Sequence, residues 1–417
     1  MKATLRVLPL LLAISAGAAQ AGVNIKIDDD TFFTIGAQIQ PAVSLIFDGN
    51  CGTTPGTCTS ASPPNPTGNQ APSGNFGFNP YLRRVRLLTG GQIGKQVTFS
   101  FGVDMARLGQ GGAFTQAFAV IESYLSYQFI DNHYFDMGYF LVPWSRNSLI
   151  SSAQINTLET RGPAYTLFGG DIGQRELGLQ YRAYFLEKHL NVRAAMIKGV
   201  APVIGTSTTA PTNGNDRPAF MGRVGYTILG LETGFSIPGI QFSETPIIAV
   251  GVAGYYQNQA GRNLVGPANT KGANVNITGV AIDAHAEYPL DKDMEFVLDG
   301  AVYKTYQGDG QANTITSAHA EAGFRVGKIE PTIAWEYKDT DDVQLVTATD
   351  GSGTGIANKS GYRAVRFGLS YWVNKHKFNI KGDFSFIRNG KIGIANPDGP
   401  NSPYMQKVAT IQSQIFF

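Results

Sequence analysis

Charged residues recur two positions apart along this sequence, as in Arg84-Val-Arg86 and Asp283-Ala-His285-Ala-Glu287. Side chains two apart share one face of a β-strand, so this spacing stacks charge in rows. A row of guanidinium groups attracts anions. Imidazole beside carboxylate, as in His285-Ala-Glu287 and His319-Ala-Glu321, suits zinc, nickel or copper. One strand separates those two pairs, a gap of about two strand spacings or ~10 Å, too wide for one ion. They are expected to be polar pairs, with no metal. Catalysis finds no constellation either, because His133, His189 and His376 fall at turns while His285 and His319 share the polar face. No nucleophile has a base beside it there. The glycine-rich Gly351–Gly355 has no following Lys or helix and is not a phosphate loop. The chain is therefore expected to be no enzyme and to need no cofactor.

Composition narrows the class. Only 15% of the 417 residues are charged, 33 Lys and Arg stand against 31 Asp and Glu, and 50 residues are glycine. Nucleic-acid binding calls for a concentrated excess of Lys and Arg, which is missing. A mean hydropathy of −0.08 does not fit a bundle of membrane helices, each needing about 20 apolar residues. Residues 1–21 read as a secretory signal: Lys2 and Arg6 precede a short apolar run, and Ala19-Gln20-Ala21 offers small residues for cleavage. The mature chain, residues 22–417, is expected to be a single domain of zero formal charge, since Lys2 and Arg6 account for the +2. Cys51 and Cys58 allow one pairing, favoured in an oxidising compartment, and are read as a disulfide that staples a loop.

From Gly22 onward the pattern is alternation with period two. Phe33, Ile35, Ala37, Ile39, Pro41, Val43, Leu45 and Phe47 take one face, and Thr34, Gly36, Gln38, Gln40 and Ser44 the other. About sixteen such segments recur, each near the ~10 residues that a tilted strand needs to cross a bilayer. They centre on Ile39, Val85, Phe101, Ser123, Tyr139, Leu179, Ala194, Val224, Val250, Ile282, Leu298, Ala320, Ile333, Phe367, Ile380 and Ile411. Long connections, among them Asp48–Gly77, Pro143–Gly173, Asn258–Asn276 and Asp339–Ser360, alternate with short ones such as Asp131-Asn132 and Gly327-Lys328. Gly230–Glu244 is long where a short one is due. Such sorting by parity belongs to an all-β, closed antiparallel transmembrane barrel with long external loops and tight periplasmic turns. Closure also satisfies every backbone polar group in a medium without water.

Specific stretches resemble a known family. Arg83-Arg84-Val85-Arg86-Leu87, Gly138-Tyr-Phe-Leu-Val-Pro143-Trp144-Ser145, Arg175-Glu-Leu-Gly178-Leu-Gln-Tyr-Arg182 and Met196-Ile-Lys-Gly199 resemble motifs of the phosphate-selective porin O and P family. The match runs well from Arg83 to about Gly225 and weakly beyond. It implies a trimeric, sixteen-stranded barrel of the Gram-negative outer membrane, in contact with lipid. It also implies a third loop, Pro143–Gly173, folded inward to narrow the pore, with Arg146, Glu159 and Arg161 in it. Phe417 matches the C-terminal aromatic that such barrels present to the assembly machinery. The family's selectivity rests on inward Arg with several Lys at the constriction. Here the loop has no Lys, so phosphate specificity does not carry over by itself.

Sorting charge by parity gives two arcs of the pore lining. Arg84, Arg86, Arg182, Arg193, Arg223, Arg366 and Lys381, with Lys377, form a basic arc. Asp283, Glu287, Glu295, Asp299, Glu321, Glu330 and Glu336 form an acidic one. Opposite signs across a narrow aqueous gap focus the field and set ion preference. The expected function is passive diffusion of small hydrophilic, mainly anionic and phosphate-like solutes. The other readings are a non-conducting barrel acting as adhesin or structural protein, and a soluble exported β-sandwich.

Overall fold

The computed structural model describes residues 22–48, 77–110, 117–158, 174–199, 217–265, 270–306, 314–340, 360–389 and 404–417. Its strands are β1 (Val23–Lys26), β2 (Phe32–Asp48), β3 (Gly77–Ile93), β4 (Val97–Leu108), β5 (Ala119–Ile130), β6 (His133–Leu141), β7 (Arg175–Phe185), β8 (Leu190–Ile197) and β9 (Ala219–Leu229). They continue with β10 (Ile247–Val265), β11 (Thr270–Pro289), β12 (Met294–Tyr306), β13 (Thr314–Val326), β14 (Ile329–Thr340), β15 (Ser360–Asn374), β16 (Phe378–Asn389) and β17 (Tyr404–Phe416). Each strand from β2 onward pairs antiparallel with the next, and β17 pairs back onto β2, so the sixteen-stranded ring closes. The short β1 adds four residue pairs to β2 beneath the ring. All sixteen expected strand centres lie in the ring. A 3-10 turn, Asn147–Leu149, lies in the loop after β6.

Why these segments become strands in lipid is legible on β11. Val280, Ile282 and Tyr288 are 56%, 63% and 47% exposed, whereas Asp283, His285 and Glu287 on the other face are at most 2% exposed. Apolar side chains point out and polar ones in, the reverse of a soluble sandwich and the arrangement that a barrel in hydrocarbon requires. Tyr127, Phe135, Tyr226, Tyr288, Phe296 and Tyr371 are exposed near the short-turn end and form an aromatic girdle there. The turns use suitable residues: Asn132 and Gly327 take φ of +65° and +59° in their two-residue connections.

Two expectations need correction. Asn258–Asn276, read as a long external loop, is mostly strand: β10 runs to Val265 and β11 begins at Thr270. Register shifts between Gln257 and Gly261 and between Arg262 and Leu264 interrupt the period-two pattern, which hid the strand in the sequence. The connection after β9, long where a short turn was due, is the second: it folds up into the barrel, so the packed core of this protein lies inside the ring.

Candidate functional site

The loop after β6 enters the lumen at Pro143, which has no backbone N–H to continue a ladder. Ser148 then ties the turn: its Oγ donates toward Val142 O and Ser145 O, each at 2.7 Å, and accepts from Ser145 N at 3.0 Å. Trp144 is driven against the wall, stacked on Tyr303 at 6.1 Å and edge-on to Tyr255 at 6.5 Å. Gly279 makes room, because a Cβ there would stand 2.8 Å from the Trp144 ring. Leu149 and Ile150 are at most 1% exposed, and each such side chain contributes about 1.5–3 kcal/mol by burial.

Residues 230–246, between β9 and β10, form a strap across the lumen against this loop. Phe235 stacks on Tyr124 of β5 at 4.0 Å, and Tyr184 Oη donates to Gly234 O at 2.6 Å. Ile237 N donates to Leu149 O and Gly239 N to Gln154 O, both at 3.0 Å, so loop and strap share a short ladder. Gly239 permits the approach, since a Cβ would lie 2.5 Å from Gln154 O. The far end reaches the opposite wall. Ile240 packs with Val297 and Trp372, His376 Nε2 donates to Ile240 O at 2.8 Å, and Phe242 meets Trp372 and His376 edge-on. Glu287 accepts from Gln241 N at 2.7 Å and Ser243 N at 2.6 Å.

Arg146 joins loop, strap and wall. Its guanidinium donates to Glu232 at 2.6 and 2.8 Å, to Pro238 O at 2.8 Å and to Asp299 at 3.1 Å, and its backbone N–H reaches Asp283 at 3.0 Å. Burial pushes the Glu232 carboxyl up, but Arg146 and His285 pull it down further, leaving it below the usual carboxylate range. A buried charge held this way is costly to strand alone.

The inward charges of the two arcs are covered and wired to partners. On the basic side, Arg86 bonds Asp104 at 2.8 Å and also Ser152 of the loop. Arg182 bonds Asp136 at 3.1 Å and Arg223 bonds Asp283 at 2.6 Å. Arg193 donates to Phe235 O and Gly234 O of the strap at 2.7 and 2.9 Å. Arg366 donates to Ser385 at 2.9 Å and Tyr362 at 3.1 Å, with Glu336 at 3.5 Å. Lys381 donates to Ile155 O and Asn156 O of the loop at 2.5 and 3.0 Å. On the acidic side, Glu295 takes Arg325 at 2.6 Å, Glu321 takes Thr157 at 3.2 Å and Glu330 takes Trp372 Nε1 at 2.7 Å. Glu336 accepts from Tyr362 at 2.9 Å. Arg84, half-buried on β3, donates to Gln40 at 2.8 Å. Lys377 sits exposed in the turn between β15 and β16. Glu159, Arg161, Cys51 and Cys58 lie outside the described residues.

The histidines do not pair with the glutamates two positions on. His285 Nδ1 and His319 Nε2 both face Asp299 of the intervening strand, each at 3.3 Å, with Arg146 on the same carboxylate. Among the described residues no group of three or more His, Cys, Asp or Glu could hold a metal ion.

Sequence reasoning missed several inward residues. Arg83 reads as lipid-facing by parity, yet it is 6% exposed and donates to Leu158 O at 2.6 Å and Gln412 at 2.9 Å. A bulge at that position, between the pairs Gln40–Arg84 and Pro41–Leu82, turns it inward. Gln38, Gln40 and Gln414 form an amide ladder at 3.1 and 2.6 Å, and Gln414 Nε2 reaches Ala153 O at 3.0 Å. Their inward parity was visible; sorting charges alone passed over them. Asp104, Asp136 and Glu232 were absent from both arcs, and the structure pairs them with Arg86, Arg182 and Arg146.

A closed barrel with polar interior, apolar exterior and an inward third loop defines an outer-membrane channel of the porin class. Residues 66–198 match the family model described as phosphate-selective porin O and P, the family that the motifs resemble. Among curated proteins no relative matches. Among solved structures, the chain is similar over 95% of its length to the whole of the outer membrane channel DcaP of Acinetobacter baumannii, at 12% identity and a TM-score of 0.54. It is similar over 93% to the whole of an anion-selective porin from Comamonas acidovorans, at 13% identity and 0.53. It is similar over 92% to 94% of Pseudomonas putida OprB, at 8% identity and 0.59. These likenesses establish the fold. Together with the family match they locate the chain in the Gram-negative outer membrane.

Proposed function

We propose that this barrel passes small hydrophilic anions by passive diffusion. The observation that supports the reading is the row of inward guanidinium groups on β3, in which Arg84 is half-buried, Arg86 is paired with Asp104 and the bulge adds Arg83 beneath the loop. Low-dielectric walls concentrate such a field and raise the local anion population. The absence of Lys from Pro143–Gly173 favours a general anion preference over a dedicated phosphate site. On this reading the mature protein begins at Gly22, residues 22–417 form one domain, Cys51 and Cys58 staple the first external loop, and three copies associate in the membrane. Phe417 completes the ring, exchanging backbone hydrogen bonds with Ala37 at 2.6 and 3.0 Å, and serves the assembly machinery as its terminal aromatic. No catalytic step and no cofactor enter.

The extent to which loop and strap fill the lumen favours one rival, a non-conducting barrel with an adhesive or structural role. Purified protein in planar bilayers separates the two. Ohmic steps at nanosiemens scale, with chloride and phosphate carrying more current than potassium, are expected; a silent membrane would favour the rival.

A further inference from the structure

The strap is held to the barrel in two different ways along its length. From Glu232 to Pro238 buried guanidinium groups grip it: Arg193 takes Gly234 O and Phe235 O, and Arg146 takes Glu232 and Pro238 O. Phe235 and Ile237 are at most 3% exposed there. From Ile240 to Pro246 the cover is thinner. Ile240 is buried against Val297 and Trp372, but Gln241, Phe242 and Ser243 are half-buried, and Glu244 and Thr245 are exposed.

Phe242 fastens this second half. Its φ is +53°, in the left-handed region that a bulky side chain rarely takes. Such a conformation persists only where the surroundings impose it. Two features do so here. The Glu287 carboxylate accepts from Gln241 N and Ser243 N, the amides on either side of Phe242. The ring itself lies in a cage: Trp372 and His376 stand edge-on at 5.0 and 5.1 Å, with the Arg325 guanidinium at 5.2 Å and the Lys375 ammonium at 5.5 Å from its centre. The cage belongs to β13, β15 and the turn after β15, whereas the first half rests on Tyr124 of β5, Tyr184 of β7, Arg193 of β8 and the loop.

The geometry points to a latch: Phe242 pins residues 240–246, and when it leaves its cage this half of the strap lifts from the wall while the first half stays docked. Lifting removes part of the strap from the lumen, so the channel passes to a higher conducting level. The effect on current rests on the channel reading; the movement does not. Parts with fewer buried contacts open locally at lower free energy than the rest, and the two halves have separate anchors. Lifting also frees Phe242 from its left-handed backbone, so the latch lies nearer to balance than its contacts alone would set it. Alanine at this position loses the ring and keeps the strain, whereas glycine loses both.

Thiol labelling of the folded, full-length protein tests this in a Cys51→Ser, Cys58→Ser background. Ile240→Cys places a thiol beneath the second half and Ile237→Cys one beneath the first, at positions 0% and 2% exposed. The probe is N-ethylmaleimide, whose reaction rate follows the open population when reclosing is fast. Adding Phe242→Ala should speed labelling of Ile240→Cys by about tenfold or more, the worth of the lost ring contacts, and leave Ile237→Cys protected. Phe242→Gly should label about fivefold more slowly than Phe242→Ala, because the docked form is no longer strained. In planar bilayers Phe242→Ala should dwell longer at the upper conductance level. If the alanine variant gives no heat-resistant folded band, Phe242→Leu takes its place, with the same direction and a smaller change. Unchanged labelling of Ile240→Cys, or equal acceleration of both thiols, would overturn the latch. Equal rates in the alanine and glycine variants would overturn the part given to the strained backbone. A silent membrane beside the expected labelling would contradict the channel reading and leave the latch standing.

Discussion

The covered side of the lumen, from β10 to β17, and the β3–β4 side use the same inward positions of the same ring, yet they leave different shares of them exposed. On the covered side nearly every inward charge meets a partner on another strand, the loop or the strap, as Arg223 meets Asp283 and Lys381 meets Ile155 O. On the β4 side Asp104 is buried against Arg86, but Thr98 and Ala106 near the strand ends are exposed and Arg84 of the adjoining β3 is half-buried. Charge inside a barrel is therefore of two kinds. One kind fixes what fills the pore, and the other faces what crosses it. Substitutions on the two sides should separate cleanly.

The largest effect is expected at Arg146. Replacing it by Ala leaves Glu232 and Asp299 without their shared guanidinium, and breaking a buried pair from one side typically costs about 3–5 kcal/mol. Loop and strap should come away from the wall, giving larger and noisier single-channel currents. Wild-type current traces from the variant would show that Arg146 does not hold the plug.

Acid should reach the same state by another route. Burial between Phe242 and Trp372 pushes His376 down to about 4, with Lys381 and Lys375 adding repulsion. Below its ordinary 6.5 the released form takes a proton first, so the docked strap loses stability as pH falls toward about 4. Glu232 has the lowered value of a paired carboxylate. Its contribution is present above the ordinary 4.5 and is lost as pH falls through its folded value. Current noise should be flat above about pH 7 and should rise steadily on acidification. In His376→Gln the rise should begin only where Glu232 titrates; an unchanged profile would clear His376 of the role.

A smaller change is expected at Phe235. Phe235→Ala removes the ring stacked on Tyr124 and loosens the strap where it meets β5. Truncating a buried Phe typically costs about 3–5 kcal/mol, here borne by the strap and not by the strand ladder. Conductance should rise modestly, with heat-resistant migration of the folded barrel unchanged. Loss of that migration would mean that the strap supports the ring itself.

Much of this was readable in the sequence because lipid imposes a strict rule. Alternation placed all sixteen ring strands, including the weak one around Ala194, and the motif at Pro143-Trp144-Ser145 located the inward loop. Parity failed where the ladder is irregular, at the Arg83 bulge and in the extended ends of β10 and β11. It also could not tell a lining charge from a buried one, since the partners of Arg146 and Arg193 lie on the strap. The strap left one trace. Phe235, Ile237, Ile240 and Phe242 are apolar residues in a connection that should have been a short polar turn. Apolar residues of that density need cover, and the lumen supplies it.

The most direct test is the zero-current potential across a potassium chloride gradient, measured on the wild type and on Arg84→Ala. Arg84 is half-buried on β3, and its guanidinium donates to Gln40 at 2.8 Å. One charge a few ångströms from the path is worth about 1 kcal/mol or less in water, up to about a fivefold change in relative permeability. Salt screens it over about 10 Å at 0.1 M, so the change should be clear in dilute salt and shrink toward 1 M. The wild type should show the sign of an anion-preferring channel, and Arg84→Ala should move toward zero potential with its single-channel current preserved. A cation-preferring wild type, or an identical potential in the variant in dilute salt, would contradict the account.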